Sequence, residues 1–153
     1  MGDFTSSSLG KLEYDNSDVV NFVKPILGFE HLRKFLVVCR PESEPLRWLQ
    51  SLDDPDICFV ILEPQWVLPG YEIEISQHDI KTLDGSTDQA DYQTYLIITI
   101  PRGKPEDISA NLKGPVVINR KNLKAIQMVL SNPDYEIQFK FVKKQGAVSA
   151  GDR

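Results

Sequence analysis

Apolar side chains recur at every second position along several short stretches of this chain, and that spacing limits the possible folds more than any other feature. Between residues 71 and 75, tyrosine and isoleucine alternate with glutamate, and between residues 135 and 141, aromatic residues and isoleucine alternate with polar ones. Successive side chains of a β-strand point to opposite faces, so each stretch predicts a strand with one buried face. We therefore expect sheets rather than helices.

A second group of segments consists of nearly continuous apolar runs that are rich in β-branched residues. The clearest runs lie at residues 57–62, 95–100 and 116–118, and proline or aspartate bounds them. This composition predicts buried strands. Shorter segments between turn residues predict four further strands, at residues 9–14, 19–23, 35–39 and 46–52.

The stretch at residues 123–130 fits both the spacing of a helix and the alternation of a strand. We favour a strand, because the polar residues 119–122 form a suitable hairpin turn to the run at 116–118. Pro133 would then end it.

A short helix is predicted at residues 76–83, where Ser76 is a suitable N-cap. About ten short strands with one or two short helices predict an all-β fold, either a mainly antiparallel β-barrel-like structure or a sandwich. The length of 153 residues corresponds to one domain. We expect that domain at residues 1–142 and a disordered tail at 143–153, where small and polar residues predominate.

The charge balance limits the classes of partner. The chain has 17 Lys and Arg against 22 Asp and Glu, a formal net charge of −5, which repels nucleic-acid phosphates and anionic membranes. The longest apolar run is far shorter than the roughly 20 residues that span a bilayer. Residues 1–8 lack the pattern of a secretory signal, so we expect a cytoplasmic protein, and we favour a plain N-terminal arm over the loose myristoylation match of Gly2 and Ser6.

Motifs of catalysis and nucleotide binding are missing from the sequence. It contains neither a GxGxxG loop nor a GxSxG elbow, and Pro105 directly follows the pair Gly103-Lys104, which also lacks the upstream glycine of a phosphate-binding loop. We therefore expect no enzymatic activity and no cofactor.

Cysteine and histidine residues are too few and too far apart to indicate a metal site. Cys39 and Cys58 lie inside apolar runs, and we interpret both as reduced core residues, with a disulfide between them as the open alternative. No pair among these cysteines and the two histidines, His31 and His78, has the spacing of a zinc chelate.

An acidic segment, Asp53-Asp54-Pro55-Asp56, lies between two predicted strands. We favour a turn in which aspartates bond their own backbone over a carboxylate pair or a cation site. Two tryptophans, Trp48 and Trp66, leave open a small ligand-binding barrel or a hydrolase as an alternative.

Three strings closely resemble the flagellar assembly factor FliW family in order and spacing: GFE at residues 28–30, WLQSLDDP at 48–55 and ANLKGPVVIN at 110–119. The likeness covers nearly all of residues 9–142. It departs from the usual pattern at residues 113–115, where a small or apolar residue before Ala-Pro is commoner, and at 136–139, which replace a more basic ending.

The resemblance implies a small, monomeric, non-enzymatic β-barrel-like protein that binds flagellin and the RNA-binding translational regulator CsrA. Flagellin would hold the protein until it is exported, and the freed protein would then bind CsrA and relieve repression of flagellin translation. A flagellin-stabilising chaperone without a translational role is the alternative.

Within the matching strings we expect five polar residues to contact a partner. Each of them also suits a structural role, because Asn and Asp in turns commonly bond the local backbone. They are Gln50, Asp53, Asp54, Asn111 and Asn119.

Overall fold

A computed structural model describes residues 2–141 of the chain, and within them it contains eleven strands and one α-helix. The expected tail at residues 143–153 lies outside the described part. The strands are β1 (Gly2–Ser6), β2 (Gly10–Tyr14), β3 (Val20–Lys24), β4 (Lys34–Val38), β5 (Arg47–Ser51), β6 (Cys58–Leu62), β7 (Tyr92–Thr99), β8 (Ser109–Ala110), β9 (Val116–Asn119), β10 (Lys124–Gln127) and β11 (Phe139–Lys140), and the helix is α1 (Gln77–Thr82).

Seven of these strands close into a barrel in the order β7, β6, β5, β4, β3, β10 and β9, with β9 returning to β7. The pair β10–β3 is parallel, and the other neighbouring pairs of the barrel are antiparallel. Two neighbours share one side of β7, because residues 92–95 pair with β9 and residues 98–99 pair with β8. The mainly antiparallel, barrel-like fold that the sequence predicts is confirmed.

The interior of the barrel is a closely packed apolar core. Each of its seven strands contributes at least one buried residue, as expected for a small barrel filled by inward-facing side chains. Phe22 and Phe35 meet there edge to face, with ring centroids 5.0 Å apart. The buried strand residues of this core are Val20, Phe22, Phe35, Leu49, Ile61, Tyr95, Val116, Ile118 and Ala125.

Two further apolar layers cover the outside of the barrel. Helix α1 and the segment before it bring Ile75 and Leu83 against Val117 and Ile126 of strands β9 and β10. The Ser76 hydroxyl accepts a hydrogen bond from the Asp79 amide at 3.0 Å, so the predicted helix and its N-cap are confirmed. The second layer lies over β6, β7 and β8 and includes Val67, Tyr71, Tyr135 and Phe141.

The first residues, expected as a plain N-terminal arm, form a strand that the apolar periodicity did not predict. β1 pairs antiparallel with β2 from Gly2 opposite Tyr14 to Ser6 opposite Gly10. The hairpin is attached to the barrel because the Ser6 hydroxyl donates to the Gln50 side-chain oxygen at 2.5 Å. Short polar residues such as Ser6 hold this hairpin through hydrogen bonds, and hydrophobic periodicity contains no information about hydrogen bonding.

Most strand predictions are confirmed to within a few residues. Within the stretch 123–130, which also fitted a helix, Lys124–Gln127 form strand β10, and the turn before it is closed by the Leu123 amide donating to the Asn119 carbonyl at 2.8 Å. The other confirmed predictions correspond to β2 to β7 and to β9.

Two alternating stretches were wrongly predicted as full strands. Residues 71–75 keep their alternation of burial, yet they form no strand pairing. The Tyr71 hydroxyl donates instead to the Leu112 carbonyl at 2.7 Å. Of residues 135–141, only Phe139–Lys140 forms a strand. One face of an extended segment can pack on the outside of a barrel without a neighbouring strand, so burial alternates although the sheet ends.

The two cysteines are free thiols, and neither is fully buried, so their prediction as core residues was wrong. Cys39 is exposed just beyond the end of β4, and Cys58 is half-buried in β6. Both belong to apolar runs, but each lies where a strand leaves the packed interior.

Candidate partner-binding surface

An apolar groove of about 300 Å³ opens at one end of the barrel. Its rim carries three exposed aliphatic side chains, Leu27 at 64%, Val129 at 70% and Ile137 at 63% exposure. Phe59 and Ile97 line it from the strands of the barrel. Exposed apolar side chains that converge on a concave surface mark a site of interaction with another molecule.

The first wall of the groove is the loop that follows β3. Gly28 has a φ of +89°, a conformation that glycine adopts without steric cost. Its amide donates to the Glu30 carboxylate at 2.9 Å. Hydrogen bonds from the Gly28 and Glu30 amides lower the pKa of that carboxyl group. The Phe29 ring meets Phe59 edge to face at 5.1 Å, so the GFE string forms a fixed wall rather than a free loop.

The second wall is the turn at residues 111–114. The Asn111 side-chain oxygen accepts hydrogen bonds from the Lys113 and Gly114 amides, both at 3.0 Å. A Cβ atom on Gly114 would lie 2.7 Å from the Gln127 side-chain nitrogen and 2.9 Å from that of Asn111. A larger residue at position 114 would displace the Gln127 or Asn111 side-chain amide, and Asn111 shapes the turn.

Gln127 connects the two walls. Its side-chain oxygen accepts a hydrogen bond from the Leu27 amide at 2.8 Å, and its side-chain nitrogen donates to the Gly114 carbonyl at 3.1 Å. The residue is 8% exposed. The sequence analysis did not select it, although a glutamine inside the apolar stretch 123–130 is a signal that could have found it.

Lys113 supplies the only ionisable side chain among the residues that line the groove. It forms no ion pair within residues 2–141. The groove therefore combines an apolar lining with one unpaired positive charge.

Gln50 lies on the outside of β5 beneath the β1–β2 hairpin and is fully buried. Its side-chain oxygen accepts from Ser6, and its side-chain nitrogen donates to the carbonyls of Ser51, Pro55 and Ile57 at 2.9, 3.4 and 3.1 Å. All of its bonding capacity is thus used to hold the hairpin and the loop after β5.

Asp53 and Asp54 organise the same loop through backbone amides. One Asp53 carboxylate oxygen accepts from the Arg33 and Lys34 amides at 2.8 and 3.0 Å, and Asp54 accepts from the Asp56 amide at 2.9 Å. For Asp54 this confirms the prediction of a turn in which an aspartate bonds its own backbone, whereas Asp53 joins the loop to the backbone at the start of β4. Asp53 remains exposed and Asp54 half-exposed, so their negative charge still faces solvent.

Asn119 is 2% exposed and closes the turn between β9 and β10. Its side-chain oxygen accepts from the Lys121 amide at 2.9 Å, and its side-chain nitrogen donates to the Leu83 carbonyl at the end of helix α1 at 3.0 Å. Of the five predicted site residues, Asn111 lines the groove, and the other four lie outside it.

The other end of the barrel opens into a larger cleft of about 550 Å³, here called the mouth cleft. The Arg47 side chain lies there, donating to the Tyr95 hydroxyl at 2.8 Å and to the Glu44 carboxylate at 3.0 Å. Bonds to Glu44 and Tyr95 raise the pKa of this guanidinium. Both hydrogen bonds hold the Arg47 side chain in place, and the Glu44 carboxylate balances its positive charge.

Two searches concern the described part alone. Among residues 2–141, no three His, Cys, Asp or Glu side chains are placed to hold a metal ion together. The single α-helix of those residues is too short to cross a bilayer.

Comparisons with known proteins agree on one family. The family described as FliW protein matches residues 3–141. A flagellar assembly factor FliW of Thermosipho africanus is 40% identical over 135 residues, which cover 88% of this chain and 92% of that protein. The FliW of Thermoanaerobacter pseudethanolicus is 38% identical over 134 residues, with coverages of 87% and 88%. A solved structure described as the crystal structure of the flagellar assembly factor FliW superposes with a TM-score of 0.83 at 30% identity, covering 91% of this chain and 96% of that one.

Proposed function

The chain belongs to the FliW family, and from this premise we propose that it is a non-enzymatic, cytoplasmic protein that acts by binding flagellin and the translational regulator CsrA. Flagellin occupies it before export. Once flagellin leaves the cell, the free protein binds CsrA and relieves repression of flagellin translation. The output is then set by which partner occupies the protein rather than by a reaction.

The observation that carries this proposal is the position of two family-like strings at one site. Phe29 of the GFE string and the turn at 111–114 line the apolar groove from its two walls, and Gln127 joins those walls through Leu27 and Gly114. A preformed apolar surface with a fixed shape reduces the ordering cost of binding a protein partner. The exposed rim residues would become buried in the complex and contribute favourable transfer free energy.

Charge supports the second half of the proposal. A net charge of −5 attracts a basic RNA-binding protein and accelerates the encounter. Among the exposed carboxylates, Asp53 and Asp54 lie together on one loop. Their backbone bonds hold these charges in place.

Calorimetric titration of the purified protein with flagellin, with CsrA, and with both together tests the proposal. We expect saturable binding of each protein alone and a weaker apparent affinity for CsrA when flagellin is present. Binding of flagellin alone would instead support a chaperone without a translational role. Binding of neither protein would refute the proposed function.

A further inference from the structure

Strand β4 extends beyond its neighbour β3 but is paired to its end with its other neighbour, β5. Toward β5, residues Phe35 to Val38 are all paired, but toward β3 the pairing covers only Phe35 opposite Val20 and Lys34 opposite Asn21. The last part of β4 therefore has one open edge. This open edge lies in the wall of the barrel, next to the mouth cleft.

The hydrogen bonds around this edge show which backbone groups are open. The Leu52 amide donates to the Lys34 carbonyl, and the Phe22 amide donates to the Arg33 carbonyl, both at 2.8 Å. Bonding positions alternate along an antiparallel strand, so the even-numbered residues of β4 bond to β5. The Val37 backbone faces the β3 side instead, where no residue in the described part is paired with it.

The mouth cleft lies beside this edge, and strand β2 lies across it. Residues 36–39 line the cleft on one side, and Leu12, Glu13 and Tyr14 of β2 line it on the other. Within residues 2–141, β2 has β1 as its only paired neighbour, so its second edge is also open. Two open strand edges therefore border one cleft. An extended peptide supplies the backbone donors and acceptors that such edges lack.

Charge further specifies the peptide. Glu13 and Asp18 line the cleft, and Asp3 lies directly opposite Glu13 on the hairpin. None of these three carboxylates forms an ion pair within the described residues. Like charges at opposed positions of a strand pair destabilise it, and a cation bound between them would relieve that repulsion. Arg47, which is paired with Glu44, and Arg120 also line the cleft, so its unpaired carboxylates lie on β2 and in the segment after it.

We propose that the open edge of β4 is a strand-addition site that takes an extended segment of a protein partner, with Lys or Arg side chains directed at the β2 hairpin. The added strand would bond to the Val37 backbone and cover the mouth cleft. This inference rests on the proposed function, because it assigns a contact to one of the partners that the protein binds.

Residue-specific amide hydrogen exchange, measured by NMR, tests the site in the unaltered protein with purified flagellin and with purified CsrA. We expect the Val37 amide to exchange at least about tenfold more slowly with one of these partners bound. The Leu36 and Val38 amides, which already bond to β5, should change little. Binding without slower exchange at Val37 would overturn the strand-addition site alone, whereas failure of both proteins to bind would overturn the proposed function and this inference with it.

Two pairs of variants provide an independent test. Val37→Pro removes the amide that faces the β3 side, and an open strand edge tolerates proline at such a position. Val37→Ala shortens the side chain but keeps the amide. We expect Val37→Pro to weaken binding of that partner at least about tenfold, and Val37→Ala by less than about twofold. If Val37→Pro does not fold, Glu13→Lys replaces it, with Glu72→Lys on another exposed surface as its control. Equal affinities within the pair used would contradict the proposal.

Discussion

The Gln127 side chain accepts a hydrogen bond from the Leu27 amide at 2.8 Å, across 100 residues of sequence. The same side chain donates to the Gly114 carbonyl. One residue of strand β10 thus sets the separation of the two loops that form the groove. These two hydrogen bonds therefore hold the groove in its shape, although neither loop contains regular secondary structure.

Replacing Gln127 with leucine should destabilise the protein and loosen the groove. The change keeps the volume of the side chain but leaves the Leu27 amide and the Gly114 carbonyl without their partner, at a cost of about 1–3 kcal/mol. Urea unfolding measures the cost, and amide exchange at Leu27 should accelerate. Gln138→Leu, at an exposed position, serves as the control and should change neither quantity. A Gln127→Leu protein as stable as the unaltered one would contradict this role.

The barrel could be predicted from sequence because its strands alternate or run continuously apolar, and burial dictates that pattern. Residues 71–75 show what an alternating apolar pattern does not predict. Their alternation is real, with Ile75 buried and Glu74 exposed, but it reports packing against a surface and contains no information about strand pairing. Periodicity likewise could not reveal the parallel pair of β3 and β10, which closes the barrel between strands distant in sequence.

The groove could be predicted only in part. The matching strings drew attention to Asn111, which does line it, but the rim residues Leu27, Val129 and Ile137 appear in the sequence as ordinary aliphatic residues. Their exposure depends on how loops distant in the chain meet, and no local pattern encodes that. Polar residues such as Gln50 mislead for the opposite reason, because burial and complete hydrogen bonding cannot be read from a motif.

Gln50→Ala should reduce the stability of the protein. The change removes the bond from Ser6 and three bonds to carbonyl groups, which releases the β1–β2 hairpin and costs about 2–4 kcal/mol of the free energy of unfolding. Thermal unfolding measures the loss. Gln138→Ala, at an exposed position, should unfold at the same temperature as the unaltered protein, and equal stability of Gln50→Ala would contradict this role.

Removing the charges of Asp53 and Asp54 tests their part in attracting CsrA. Asparagine at both positions keeps an oxygen for the backbone amides and removes two negative charges from the loop. We expect the double variant to bind CsrA about two- to fivefold more weakly at low salt, with the difference fading as salt is added. Asp134→Asn with Glu136→Gln is the matched control on another surface. Unchanged affinity with an intact fold would remove this loop from the interface.

Stability should fall at alkaline pH through Cys58. Burial raises the pKa of this thiol from an ordinary 9.0 to about 11, so the unfolded chain loses the proton first as pH rises. The free energy that the protonated Cys58 thiol contributes to stability is fully present below pH 9 and is lost between pH 9 and about 11. The pH dependence of Cys58 alkylation in a Cys39→Ser background measures the pKa, and Cys58→Ala should flatten the alkaline decline in stability. A midpoint near 9 would contradict the effect of burial.

Binding of partners in the apolar groove, as proposed, is tested best by comparing exposed aliphatic residues inside and outside that groove. Val129→Asp places a charge on the rim, and Ile100→Asp does the same at an exposed position elsewhere. Both proteins are titrated with flagellin and with CsrA after their folding has been verified by thermal unfolding. We expect Val129→Asp to weaken binding of at least one partner about tenfold or more, while Ile100→Asp binds as the unaltered protein does. Equal affinities of the two variants for both partners would contradict it.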